Sequence, residues 1–289
     1  MREHRLPTRL VLLFLTAFAS AAAVISAIPA GNDLSRPAGP GQRIPLPKEE
    51  GPVQRDDRAE QVLREAIKAH GGTDAIANRQ SIYLKYRITN FDYPDPQVGT
   101  VTIWFKRPSK IRQEIAYPGR KETLASDGAR AWRDDGSGPT LMGPLYSKMI
   151  ERGNLELDLP LLYMQGSLKY LSIGKDPNGT MTHKLSWRHQ GYARDIMVDV
   201  ATSRILVIGE FDTPAGAISR MRLLGDYRPV QGVMMPYHQE TYRNDQKYTQ
   251  RELIEAKFNL SLEESLFRFP GPETSPSQDK AGVQQPAPR

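Results

Sequence analysis

Residues 99–112 read GTVTIWFKRPSKIR, with an apolar side chain at every second position from Val101 to Phe105. Alternation with a period of two is typical of a β-strand that buries one face. The Arg-Pro pair ends the alternation, because proline has no N–H to donate to a neighbouring strand. Apolar residues resume at Ile111, beyond the pair. The stretch therefore predicts two short strands joined by a tight turn.

Similar alternation fills most of residues 82–133 and 168–258. Turn sequences such as Asn178-Gly179 separate the segments, and strands joined by such short turns pair antiparallel. We expect about eleven strands, and a sheet that wide twists and curls.

Two helical segments accompany these strands. Apolar residues recur at helical spacing over 59–70, ahead of the first strand, and again within 136–166. Both could cover one face of the sheet. The predicted fold is mainly β with a few helices: a curled, incompletely closed antiparallel β-barrel covered by an N-terminal helix and a helical lid insertion.

Composition divides the chain into four parts. Three arginines precede an uncharged run from Leu10 to Asn32, which is the pattern of a secretory signal. We expect residues 1–30 to be a signal peptide that sends the protein to the periplasm, or an uncleaved anchor in the inner membrane. Residues 31–52 are predicted to be a Pro/Gly-rich linker, 53–270 the folded domain, and 271–289 a disordered tail.

Several classes of chemistry lack the residues that they require. The sequence contains no cysteine, which excludes disulfides, thiolate nucleophiles and cysteine-ligated metals. It also lacks the G-x-S-x-G, H-E-x-x-H and glycine-rich phosphate motifs. The net charge of +6 is spread along the chain without a concentrated basic face. We expect a binding protein with no catalytic residue, cofactor, metal or nucleic-acid partner.

Two motifs resemble the outer-membrane lipoprotein-sorting superfamily, the LolA/LolB-like periplasmic carriers. One is the strand, Lys-Arg-Pro turn and strand of residues 99–112, and the other is Ser126-Asp127-Gly128-x-x-x-Trp132. The order of helix, strands, helical insertion and strands is also similar, over about residues 55–268. The resemblance implies an incomplete β-barrel closed by helices, with an apolar cavity that takes up acyl chains.

The resemblance also implies site residues. In the family the arginine of the Lys-Arg-Pro turn holds the lid closed, and Arg107 matches that position as a lid latch. Gln113 departs from the aromatic residue usual at its position, and a polar group lining an acyl cavity costs free energy unless it is paired. That departure favours a lipid or smaller amphiphile over a lipoprotein. The implied cavity residues are Ile103, Trp104, Phe105, Ile111, Gln113 and Ile115. The implied lid residues are Met142, Leu145, Tyr146, Met149, Leu161, Leu162 and Met164.

Three functions remain open at this stage. The first is a monomeric periplasmic carrier or binder of lipid or lipoprotein acyl chains, served by a membrane-protein donor or acceptor. The second is an envelope regulatory or scaffold domain that senses lipids or docks a partner protein. The third, a lipid hydrolase, lacks a nucleophile with its base.

Overall fold

Residues 52–143, 159–189, 192–211 and 218–271 are described by the structure, a computed structural model. The predicted signal peptide, nearly all of the predicted linker and tail, and residues 144–158 of the predicted lid lie outside these ranges.

Within the described ranges one antiparallel sheet of thirteen strands dominates the fold, which confirms the prediction of a mainly β, antiparallel architecture. The spatial order is β6-β5-β4-β3-β2-β1-β13-β12-β11-β10-β9-β8-β7, so among the residues that the structure describes β6 and β7 are the edges and the sheet is not closed. The strands are β1 Ser81–Asn90, β2 Gln97–Lys106, β3 Lys110–Tyr117, β4 Arg120–Ser126, β5 Ala131–Asp134, β6 Thr140–Met142, β7 Ser167–Lys175, β8 Met181–His189, β9 Tyr192–Asp199, β10 Ile205–Phe211, β11 Ile218–Val230, β12 Val233–Arg243 and β13 Gln246–Phe258.

The sheet consists of two meanders. Strands β1 to β6 form one and β7 to β13 the other, and pairing of β1 with β13 joins them at the centre. The chain between the meanders, residues 143–166, therefore leaves from one edge of the sheet and re-enters at the other. That connection contains most of residues 136–166, where the sequence predicted a helical lid insertion.

Helix α1, Asp57–Ala69, confirms the predicted N-terminal helix. Asp56 caps it by accepting hydrogen bonds from the backbone N–H groups of Arg58 and Ala59. A second helix, α2, spans Gly72–Ala77 and was not predicted from the sequence. It forms because Gly71 adopts a left-handed φ of 116° that redirects the chain, after which Ile76 is buried beneath the new turn. Short 3₁₀ helices span Leu161–Met164 and Glu264–Leu266.

Two apolar clusters cover one face of the sheet, which we call the inner face. Cross-strand partners lie on the same side of an antiparallel sheet, and the register links the clusters through Leu224, Gln239, Arg251 and Ile88. Leu161 packs against both clusters. Cluster 1 comprises α2, β1 to β4 and nearby residues, including Ile76, Ile82, Leu84, Ile88, Ile103, Phe105, Ile111, Ile115 and Leu124. Cluster 2 comprises α1 and β7 to β11, including Val62, Leu63, Ile67, Leu168, Leu185, Trp187, Ile196, Ile208 and Leu224.

The prediction for Met142 was wrong, because this residue ends strand β6 and does not belong to a lid helix. Gly136 and Gly138 adopt positive φ angles and reverse the chain, so that Met142 pairs with Ala131 on β5. Its side chain packs against cluster 1.

Three of the predicted lid residues, Leu161, Leu162 and Met164, belong to the short 3₁₀ helix Leu161–Met164. Among residues 159–166 no helix longer than this one is evident. Leu162 is buried, whereas Met164 is 52% exposed. The other predicted lid residues, Leu145, Tyr146 and Met149, lie outside the described residues. Within the described ranges, no helix combines the length and the apolar character needed to cross a bilayer.

Candidate functional site

The Lys-Arg-Pro turn connects β2 to β3 and ties three parts of the chain together. Lys106 and Lys110 both form ion pairs with Glu264, and their hydrogen bonds lower the pKa of the Glu264 carboxyl to about 2. The Arg107 Nε donates to the carbonyl oxygen of Arg79 over 2.8 Å, in the connection from α2 to β1. The latch role of Arg107 toward residues 144–158 stays a prediction, since that segment lies outside the described residues.

The Ser-Asp-Gly motif forms the turn between β4 and β5. The Asp127 Oδ1 accepts hydrogen bonds from the backbone N–H groups of Ala129 and Arg130, and Gly128 adopts a φ of 95°. Trp132, only 2% exposed, donates its Nε1–H to the carbonyl oxygen of Phe267 over 3.2 Å. These contacts fix the chain after β13 against β5, which is a structural role.

Five of the six predicted cavity residues lie together on the inner face. Ile103 is the cross-strand partner of Gln113, Phe105 of Ile111, and Val101 of Ile115. Trp104 points to the opposite face, because neighbouring residues of a strand alternate between faces. There its ring lies 5.9 Å from that of Tyr83. The structure therefore separates Trp104 from the other five.

Gln113 is the polar member of this inner-face set. It lies between Ile103 on β2 and Leu124 on β4, and only 8% of it is exposed. Its Nε2 has no hydrogen-bond partner among the described residues. A buried donor left in this state costs about 1–3 kcal/mol, so the amide is a candidate for contact with a ligand.

We predict that Gln113→Leu raises the free energy of unfolding of the ligand-free protein by about 1–3 kcal/mol, because leucine removes the unsatisfied donor at similar volume. Urea denaturation of delipidated protein measures the change. A lower free energy of unfolding in Gln113→Leu than in wild type would mean that the Gln113 amide makes hydrogen bonds in the folded state.

A second polar group on the inner face was not predicted from the sequence. The carboxylate of Glu210 on β10 forms ion pairs with three arginines. Its oxygens lie 3.0 Å from Arg194 on β9 and 3.2 Å from Arg222 on β11, and Arg220 on β11 is the third partner. Burial alone would raise the pKa of this carboxyl, but the three guanidinium groups outweigh it and hold the pKa far below its ordinary value. Glu210 is therefore ionised at any physiological pH.

Further polar side chains extend from the ionic group of Glu210 across the middle of the sheet. Gln239 on β12 is the cross-strand partner of Leu224 and of Arg251, and Arg251 is in turn the partner of Ile88. We call the set Arg194, Glu210, Arg220, Arg222, Gln239 and Arg251 the basic band. The sequence contained a pattern that places two of these arginines on the inner face. Arg194 is two residues from Ile196, and Arg222 is two residues from Leu224, so each arginine lies on the same side of its strand as an apolar residue. The predictions from the sequence were based on the apolar residues of these strands and did not include the arginines.

Two histidines that could have been metal ligands contact single polar side chains. His183 lies within hydrogen-bond distance of the Tyr170 hydroxyl, and His238 contacts Glu240. In the part of the chain that the structure describes, no three His, Asp or Glu side chains converge in a way that could hold a metal ion.

Comparison with known proteins identifies the fold. No protein-family model and no curated protein matches this sequence. A solved LolA superfamily protein from Nitrosomonas europaea is similar over 73% of this chain and 97% of its own, at 14% identity and a TM-score of 0.50. A DUF1329 family protein from Desulfovibrio piger is similar over 74% and 98%, at 11% identity and a TM-score of 0.51. The expected LolA-type fold is thus confirmed as a fold.

Proposed function

We propose that this protein is an exported, non-enzymatic carrier or binder of lipid or lipoprotein acyl chains, with the chain lying on the inner face of the sheet. The fold shared with a LolA superfamily protein supports this function. The observation that carries the proposal is the amide of Gln113, a donor without a partner among the described residues, set in an apolar surface. An acyl chain supplies the apolar contact, and the ester or amide carbonyl at its end supplies the acceptor.

Cluster 1 is least covered where the ligand is proposed to lie. Ile103, Ile111, Gln113 and Ile115 each keep 8–9% of their surface exposed, whereas Ile82 and Leu84 on β1 keep 1%. Strand β3 is therefore the part of the cluster that a ligand reaches most easily. Each CH₂ group removed from water there contributes about 0.8 kcal/mol.

Uptake of a fluorescent fatty acid by delipidated protein tests the function. The carrier proposal predicts saturable binding with a blue-shifted emission, displaced by unlabelled fatty acid and by lipids extracted from cell envelopes. A protein that binds none of these contradicts it and favours an envelope scaffold domain that docks a partner protein.

The connection between the two sheet edges is the proposed gate, and Arg107 its latch. We predict that Arg107→Leu speeds release of the bound fatty acid at least about threefold while the fold is retained, because a charge-assisted hydrogen bond contributes about 1.5–3 kcal/mol. Stopped-flow dissociation measures the rate. Arg130→Leu, at an exposed turn position, serves as the control. Equal rates in wild type and Arg107→Leu would remove Arg107 from the gate.

A further inference from the structure

We propose that Gln113 and Glu122 together bind the polar end of the acyl chain, so that the protein selects an amide-linked chain over an ester-linked one. The inference rests on the function proposed above and adds the chemical class of the ligand. An amide offers both a carbonyl acceptor and an N–H donor, whereas an ester offers acceptors only.

Both side chains lie on the inner face of neighbouring strands. Gln113 on β3 is the cross-strand partner of Leu124, and Glu122 on β4 is the partner of Ile115. Leu124 and Ile115 belong to cluster 1, so the amide and the carboxylate occupy the same apolar surface. In this register Gln113 and Glu122 are diagonal neighbours, and the Cα atoms of such pairs lie about 7–8 Å apart. One polar group of a ligand can therefore contact both side chains.

Gln113 needs an acceptor, and Glu122 can accept further hydrogen bonds. The Gln113 Nε2 has no partner among the described residues. In the same part of the chain only Arg133 donates to Glu122, with its Nε 2.6 Å from Oε1, although an ionised carboxylate has room for about four hydrogen bonds. Gln113 and Glu122 are both at least nine-tenths buried, so a ligand that satisfies both groups removes a cost that the empty site carries.

The ion pair with Arg133 does not fully offset the burial of Glu122. Burial raises the pKa of the Glu122 carboxyl, and the Arg133 guanidinium lowers it by less, so the pKa stays above its ordinary value. Arg133 also pairs with Asp135, whose Oδ2 lies 3.6 Å from the Arg133 Nη2. A second hydrogen-bond donor beside Glu122 therefore stabilises the ionised carboxylate further.

The geometry of an amide suits this pair of side chains. A secondary amide is planar and trans, so its C=O and its N–H point to opposite sides. One amide between the two side chains can accept from the Gln113 Nε2 and donate to a Glu122 oxygen at the same time. An ester in the same place satisfies Gln113 but brings no donor to Glu122. The acyl chain then lies on Ile103, the partner of Gln113 on β2, and on the rest of cluster 1.

Titration calorimetry on delipidated protein tests the selection with two neutral probes, dodecanoic ethanolamide and ethylene glycol monododecanoate. The two differ only in an N–H in place of the ester oxygen. We expect the amide to bind about tenfold tighter to wild-type protein. Methylation of the amide nitrogen removes the donor and should abolish this preference. In Glu122→Met/Arg133→Met, which replaces the ion pair by apolar side chains, the ratio should fall below about threefold through weaker binding of the amide.

Two further variants are controls. Arg87→Met/Glu252→Met removes a cross-strand ion pair of the outer face and should keep the wild-type ratio. Gln113→Leu removes the donor that both carbonyl groups use, so it should weaken both probes and leave the ratio near its wild-type value.

A third probe, dodecanoyl diglycine amide, identifies the source of the amide, since it carries the same linkage on a peptide. Tighter binding than the ethanolamide indicates an acylated polypeptide, and equal or weaker binding indicates a free lipid. The inference is supported in either case if the amide linkage is preferred over the ester.

The outcomes separate the two proposals. If neither the amide nor the ester binds, the carrier function itself fails. If both bind equally to wild-type protein, the amide inference is wrong and the carrier function stands. If the preference persists in Glu122→Met/Arg133→Met, the N–H is recognised elsewhere, which also overturns the inference. If that variant does not fold, Glu122→Gln decides, since an unchanged ratio there contradicts recognition by the carboxylate.

Discussion

Glu210→Gln should lower the free energy of unfolding by about 3–5 kcal/mol, because it breaks a buried ionic group by removing the carboxylate that three arginines share. Glu210 joins Arg194 on β9 to Arg220 and Arg222 on β11, so the loss affects three adjacent strands. Urea denaturation at neutral pH measures the change.

The acid dependence of stability follows from the same group. The Glu210 pKa is lower in the folded state than its ordinary value of 4.5. Its stabilising contribution is therefore complete above that value and declines as the pH falls below it toward the folded-state pKa. Glu210→Gln should weaken this part of the acid dependence.

Glu240→Gln is the matched control. Glu240 also carries several hydrogen bonds, from Lys247, Tyr242 and His238, but it lies at the outer face and its partners are more exposed. We expect a loss of about 0–1 kcal/mol there. Equal losses in the two variants would show that the ionic group of the inner face is no more desolvated than the outer one.

Gly71→Ala should destabilise the protein by about 2–4 kcal/mol, since alanine is strained at a φ of 116° and its Cβ would lie 2.3 Å from the Gly232 carbonyl oxygen. The neighbouring Gly72 also has a positive φ, but nothing lies within 4 Å of the point that a Cβ would occupy there. The loss of stability in Gly72→Ala therefore measures the cost of the backbone angle alone. The additional loss in Gly71→Ala measures the cost of the close contact with the Gly232 carbonyl oxygen.

That close approach fixes the corner between α1 and α2 against the turn from β11 to β12. If Gly71→Ala and Gly72→Ala are equally stable in thermal or urea denaturation, the contact between Gly71 and Gly232 does not position the corner. The account of why α2 lies over the inner face would then be wrong.

Much of the architecture was predictable because it depends on local patterns. Period-two alternation located most strands, and the apolar spacing of residues 59–70 located α1. Strand β6 was missed because three residues are too few to show alternation, and Met142 was assigned to a helix instead. The pairing of β1 with β13 joins residues far apart in sequence, which no local pattern reveals.

The candidate site was only partly predictable. Gln113 was identified because it departs from a family pattern, and the alternation on β3 places it beside Ile111 and Ile115. Trp104 was assigned to the cavity although it has the opposite strand parity to Ile103. The basic band was missed because its charged residues come from four strands, and only the register of the sheet brings them together.

Photo-crosslinking tests the central claim most directly. A fatty acid with a photoreactive group on its chain is bound to the delipidated protein and irradiated, and the modified peptides are identified by mass spectrometry. Adducts should concentrate on inner-face residues of β2 and β3, including Ile103, Ile111 and Ile115, and excess unlabelled lipid should abolish them. Adducts confined to outer-face residues such as Trp104, or labelling that unlabelled lipid does not compete away, would contradict the account.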